Sequence, residues 1–154
     1  RVSTSHSEEE RMSSIVKSIE VKVPVKIAYH QWTRFEEFPQ FMEGVKEVRH
    51  QLGASNLHWK AEIKGKELEW DAAITEELPN QRIAWTSLSG DVHDEIVTIY
   101  PLSGTTSKVL LHVASDPAEM DTVALRVQRD LERFKVFIER RERQSATLSV
   151  GRDQ

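Results

Sequence analysis

Between residues 45 and 115 apolar side chains recur at every second position in one short run after another, and beyond Pro117 the period lengthens to that of a helix and stays there. No other feature restricts the fold as much, because a period of two buries one face of a strand and a period of 3.6 buries one stripe of a helix. The runs are Val48, His50 and Leu52; Leu57, Trp59, Ala61 and Ile63; Leu68, Trp70, Ala72 and Ile74; Ile83 and Trp85; Val97 and Ile99; and Val109, Leu111 and Val113. Between them stand "LGASN", "KGKE", "LPNQ", "LSGD" and "LSGTTS", with the glycine, proline and asparagine that sharp reversals need. Six strands in succession, each with one apolar face, predict an antiparallel meander.

A further strand precedes them. In "SSIVKSIEVKVP", residues 13–24, Ile15, Ile19, Val21 and Val23 share a face, and Lys17 falls in phase with them, as a rim residue or the mark of a bulge. Val25, Ala28, Tyr29 and Trp32 then fit a short helix, and Phe38, Phe41, Met42 and Val45 a second one interrupted by Pro39. At the other end "SDPAEM" predicts a helix start, with Asp116 as N-cap, Pro117 at the first helical position and Glu119 closing a capping box. Met120, Val123, Ala124, Val127, Leu131, Phe134 and Ile138, widened by Phe137, form its apolar stripe. Arg126 with Asp130, and Glu139 with Arg143, are spaced to pair on the opposite, wet face. So long an amphipathic helix needs a partner surface, and the apolar face of the sheet is the only one large enough. The expected fold class is therefore α+β: a curved seven-stranded antiparallel sheet around a long C-terminal helix, with two short helices after the first strand.

At 154 residues the chain is sized for one domain, expected over 13–141, with residues 1–12 and 142–154 as flexible tails. Lysines and arginines are interspersed with acids at a net charge of −4, which argues against nucleic acid or an anionic membrane as partner. The absence of cysteine excludes disulfides, thiolate metal sites and a cysteine nucleophile. With no long apolar run and no apolar core in "RVSTSHSEEERM", the expected location is cytoplasmic.

The order of elements resembles the helix-grip fold of the SRPBCC, or START-like, superfamily. The segments "YHQWTRFEEFPQFMEGVKEV", "LHWKAEIKGKELEWDAAITEELPNQRIAWTS" and "DLERFKVFIERR" look like the bacterial group labelled polyketide cyclase/dehydrase, and the resemblance covers residues 13–141. It implies a ligand cleft between the concave face of the sheet and the last helix. The superfamily includes cyclases, lipid carriers, hormone receptors and chaperone activators, so shared fold alone does not transmit a reaction. "DPAEMDTVALRVQRD" is shorter than the stretch leading into this helix in many of these relatives, which implies a differently shaped or more open cavity mouth.

On that expectation Trp59, Trp70 and Trp85 are inward-facing and either line a pocket or fill the core, while Ala61 and Ala72 leave space beside the rings. The expected ligand contacts are Trp59, Ala61, Trp70, Ala72, Trp85, Ser87 and Val97 from the sheet and Val127, Leu131 and Phe134 from the helix. Counting back from Ile99 brings Glu95 and His93 into the same phase; with Ser87, Ser115 and His50 they form a potential polar patch, and His93 and Glu95 are the candidates for proton transfer. His58 and His112 alternate with core positions and are expected in water, and Arg140, Arg141 and Arg143 at the helix end, where they complement its dipole. Spacings for a metal site, a nucleophile elbow or a phosphate loop are missing, so no metal and no cofactor is expected. Three functions follow: binding of a small hydrophobic or aromatic molecule; a cyclase or dehydratase using His93 or Glu95; or an interaction module with a collapsed cavity that uses exposed sheet positions such as Ile96, Thr98 and Tyr100, or the small helices, to bind a protein or a second copy of itself as a homodimer.

Overall fold

The computed structural model describes residues 13–51, 55–88 and 94–152. The strands are β1 (Ser13–Val21), β2 (Val45–His50), β3 (Asn56–Ile63), β4 (Lys66–Leu78), β5 (Arg82–Ser87), β6 (Asp94–Pro101) and β7 (Ser107–Ser115). Helix α1 (Val25–Trp32) and a 3-10 helix (Phe35–Gln40) follow β1, and a 3-10 turn (Pro117–Glu119) leads into α2 (Met120–Arg152). The sheet order is β1-β7-β6-β5-β4-β3-β2, every neighbouring pair antiparallel. The meander is thus as the alternation predicts, and β1 closes it by pairing with the last strand.

Local chemistry accounts for the reversals. Lys64 and Gly65, both at positive φ, form a two-residue turn between β3 and β4, the backbone twist that tight hairpins favour. Gly44 (φ +82°) brings its carbonyl to the Glu62 N–H at 2.7 Å, and a Cβ there would lie 2.7 Å from the Glu62 carbonyl oxygen. Only glycine fits. Pairing of β1 with β7 runs without a break from Ser13 to Val21, so Lys17 marks no bulge and sits half-buried in the inner phase. Bulges occur instead between Val45 and Glu47 and between Ile74 and Glu76.

The inner face of the sheet, the small helices and α2 enclose one core. Trp32, Phe38, Phe41, Leu57, Ile83, Leu111, Leu131 and Phe134 are fully buried in it. The second helical segment is 3-10 rather than α, since Pro39 supplies no N–H and this stretch is too short to recover the lost bond. Phe38 nevertheless reaches the Trp32, Trp59 and Trp85 rings at 5.6–5.7 Å. Leu68, in phase with the inner face, is 44% exposed because it lies at the hairpin end of β4.

Helix α2 runs to Arg152, beyond the boundary expected at residue 141. Arg141 is consequently not at a helix end. Its guanidinium donates to Glu37 at 2.6 Å and Gln31 at 2.9 Å and lies 4.7 Å from the Phe137 ring, joining α2 to both small helices. Glu139 bonds Lys135 at 2.6 Å and the Lys22 N–H at 2.8 Å, fastening the helix to the end of β1. Asp116 caps as expected, accepting from the Ala118 N–H at 3.0 Å, but Glu119 turns to Lys64 at 3.4 Å rather than closing a box.

Candidate active site

Of the three tryptophans of the inner face, Trp59 touches the other two. Trp59 and Trp70 stand opposite in the β3–β4 register, stacked at 5.7 Å with 9° between planes, and Trp85 is 5.9 Å from Trp59. Trp59 and Trp85 are buried and Trp70 is half-exposed, so the cluster runs from the core to its edge. Core filling describes the inner two; Trp70 presents the outer end of the aromatic wall. The Trp59 and Trp32 indole nitrogens are buried without a hydrogen-bond partner.

Glu95 interrupts this apolar surface. It pairs with Trp85 on one side and Val113 on the other, both buried inner-face residues, so its side chain enters the interior. Burial pushes its carboxyl above the usual range, against the opposing pull of the Arg126 guanidinium and a hydrogen bond from the Trp85 indole. His93, its expected companion, lies outside the described residues, as does Leu52. Asp94 faces the other way, held by the Thr86 hydroxyl.

Across from the sheet, α2 contributes a second acid. Asp130 is not on the wet face: it is 5% exposed, in the stripe formed by Val123, Val127, Leu131, Phe134 and Ile138. Its Oδ1 accepts the Glu43 N–H at 2.9 Å, which ties the helix to the loop after the 3-10 segment. Desolvation lifts its pKa from 3.8 to about 7, outweighing the Glu43 N–H and Arg126, while Glu95 and Glu43 push the same way as burial. Arg126, one turn earlier on α2 and half-buried, acts on both acids. One carboxyl on the inner face of the sheet, next to Trp85, and one in the apolar stripe of α2 thus feel the charge of the same guanidinium. The phase was legible: Asp130 stands three residues after Val127 and four before Phe134, but a helical i, i+4 partner at Arg126 made the solvent face look equally consistent.

The remaining candidates are dispersed. Ala61, Ala72, Val97, Val127, Leu131 and Phe134 are buried, and Ser87 is half-buried opposite Ala72. Ser115 is buried with its hydroxyl on the Asp116 carbonyl at 3.3 Å, and His50 is exposed, edge-on to Phe35 at 5.8 Å. His58 is not simply solvated: Asp71 at 2.7 Å and Glu69 at 2.8 Å hold both ring nitrogens and raise its pKa. His112 is half-buried, its Nδ1 enclosed without a partner, and Thr98, expected on an exposed docking face, is 8% exposed. A surface groove lined by Gln40, Glu43, Arg129, Arg133, Phe137 and Arg140 lies on the flank of α2, with Glu43, whose N–H bonds Asp130, in its wall. Among the described residues no cluster of three or more histidine or acidic side chains is placed to hold a metal ion. Nor is any helix among them long and apolar enough to cross a membrane.

Comparison with known proteins bears on this arrangement. Residues 21–139 match the family described as polyketide cyclase/dehydrase and lipid transport. The chain belongs to that family. An uncharacterised 17.2 kDa protein from Streptomyces lincolnensis is 40% identical over 139 residues, covering 84% of this chain and 92% of that one. The Zhui aromatase/cyclase from a Streptomyces species superposes with a TM-score of 0.73 at 13% identity, over 84% of this chain and 95% of that one. A START superfamily protein from Mycobacterium smegmatis gives 0.69 at 20% identity, over 85% and 97%. The fold of this family member is thus the START-like helix grip.

Proposed function

We propose that this family member binds a small hydrophobic or aromatic molecule between the inner face of the sheet and α2, against Trp59, Trp70 and Trp85 and beside Glu95 and Asp130. The observation that carries this is Asp130: an acid enclosed in the apolar stripe of a helix, with a half-buried second acid, Glu95, on the inner face of the sheet, weakens the folded state whenever it is ionised. Folding alone is better served by a hydrophobic residue there. The family description, which includes lipid transport, and the aromatase/cyclase likeness agree with a ligand in this cleft. The test is thermal denaturation against a panel of lipids and aromatic metabolites. A true ligand at a hundred times its Kd adds about 2.7 kcal/mol and raises the melting temperature. A panel without any such rise overturns the proposal.

A second reading is a cyclase or dehydratase. It is favoured by the pKa of about 7 at Asp130, which suits proton transfer at neutral pH, and by the inward direction of Glu95. Turnover of a bound compound, lost in Asp130→Asn while binding persists, identifies the enzyme; binding without turnover identifies a carrier.

A further inference from the structure

We propose that the groove on the flank of α2 is a second binding site, at the surface, and that it takes a small apolar molecule with an anionic head, a carboxylate or a phosphate. It is separate from the cleft proposed above and does not depend on it.

The groove has a volume of about 570 Å³, within the range of small-molecule sites. One wall is α2, on which Arg129, Arg133, Val136, Phe137 and Arg140 follow one another at helical spacing and share a face. The other wall is Gln40, the last residue of the 3-10 helix, and Glu43 in the loop after it. Both walls are held in place. Asp130 accepts the Glu43 N–H at 2.9 Å, and the Phe137 ring packs on Phe41 at 5.6 Å with the Arg141 guanidinium 4.7 Å from it. A ligand therefore meets a surface that is already set, and little ordering is needed to bind it. Val136, 55% exposed, and the half-buried Phe137 supply the apolar part of that surface.

Charge specifies the other half of the ligand. Glu43 is paired with Arg129 at 3.7 Å, and Glu132 accepts from the Gln128 amide at 3.2 Å. Arg133 and Arg140 are exposed, and among the described residues neither has a hydrogen-bond or ion-pair partner. They stand one turn before and one turn after the Val136 and Phe137 side chains, about 10 Å apart along the helix axis. Set against Glu132, they leave a local excess of one positive charge in a chain whose net charge is −4. A guanidinium presents a fork of donors that fits a carboxylate or a phosphate with two parallel bonds, and an aromatic ring accepts a flat apolar body against it. A neutral molecule would leave both guanidiniums unused, and a bare anion would leave the apolar surface wet. A molecule with both parts uses both.

The experiment is an amide NMR titration of the full chain at neutral pH and low salt. The probes are 2-naphthyl phosphate and 2-naphthoate, with 2-naphthol and inorganic phosphate as the two halves alone. Both amphipathic anions are expected to shift the amides of Glu43 and of residues 129–140, and to bind there about tenfold or more tightly than either half. The tighter of the two identifies the head group. In a double variant, Arg133→Gln with Arg140→Gln, their affinity is expected to fall about tenfold, and added salt is expected to weaken binding to the unaltered protein. Both arginines are exposed and unbonded, so the substitutions remove no contact on which folding depends. Naphthol binding at the groove as tightly as the anions overturns the proposal, as does inorganic phosphate matching naphthyl phosphate. Anions that shift only the amides around Trp59 and Trp85, or whose affinity is unchanged in the double variant, overturn it and leave the cleft reading standing. Absence of any shift at millimolar anion overturns it as well. Failure of the ligand panel to raise the melting temperature bears on the cleft alone, so the two proposals fail separately.

Discussion

Replacing Asp130 by asparagine is expected to change stability with a sign and a pH profile that distinguish a buried acid from an ordinary structural one. In the folded protein its pKa rises from 3.8 to about 7, so between those values the native state holds a proton that the unfolded chain releases. Stability then falls as pH rises through this window and levels off above it. At 1.36 kcal/mol per pH unit the whole difference is worth about 4 kcal/mol, an upper value because local relaxation and water reduce it. Asparagine keeps an oxygen for the Glu43 N–H and cannot ionise, so the variant is expected to match the parent near pH 4 and to exceed it by about 2–4 kcal/mol at pH 8. For a domain of this size that is about 4–16 °C in Tm. Urea unfolding of both proteins at half-unit intervals from pH 4 to pH 8 measures it. A variant less stable than the parent by a constant amount at every pH would refute the reasoning, showing that ionised Asp130 is a net structural asset.

Other perturbations separate the aromatic positions and the special backbone sites. Trp32→Ala, at a fully buried ring in contact with Phe38, Phe41 and Phe134, is expected to cost about 3–5 kcal/mol in urea unfolding, and Trp70→Ala, at the half-exposed end of the wall, about half of that or less. Equal losses would place Trp70 in the core. Gly44→Ala combines positive φ with a 2.7 Å approach to the Glu62 carbonyl and is expected to cost about 1–3 kcal/mol by the same assay. His58, whose pKa is raised by Asp71 and then Glu69, contributes stability that is complete below its unfolded pKa and is lost as pH rises through the raised folded value; NMR titration checks the direction, and a His58→Gln variant should lack that component.

The sequence by itself determined the architecture. Period-two runs, turn residues and one long 3.6-period stripe leave little choice but a meander closed by a first strand and covered by a helix, because each pattern commits one face to burial and only these faces can satisfy one another. It also placed Glu95 on the inner face, since counting by twos from Ile99 crosses no bulge in β6. Tertiary structure decided the polar half of the site. Asp130 lies on the flank of a broad helical stripe, where spacing alone is compatible with either side, and the loop at Glu43, whose N–H it accepts, holds it inward. In the same way Arg141 found its partners in the small helices, more than a hundred residues away, and Glu139, besides Lys135 on its own helix, reached the Lys22 N–H. Local sequence encodes periodicity; which charges share a buried space depends on contacts between distant segments, and these exist only once the chain has closed on itself.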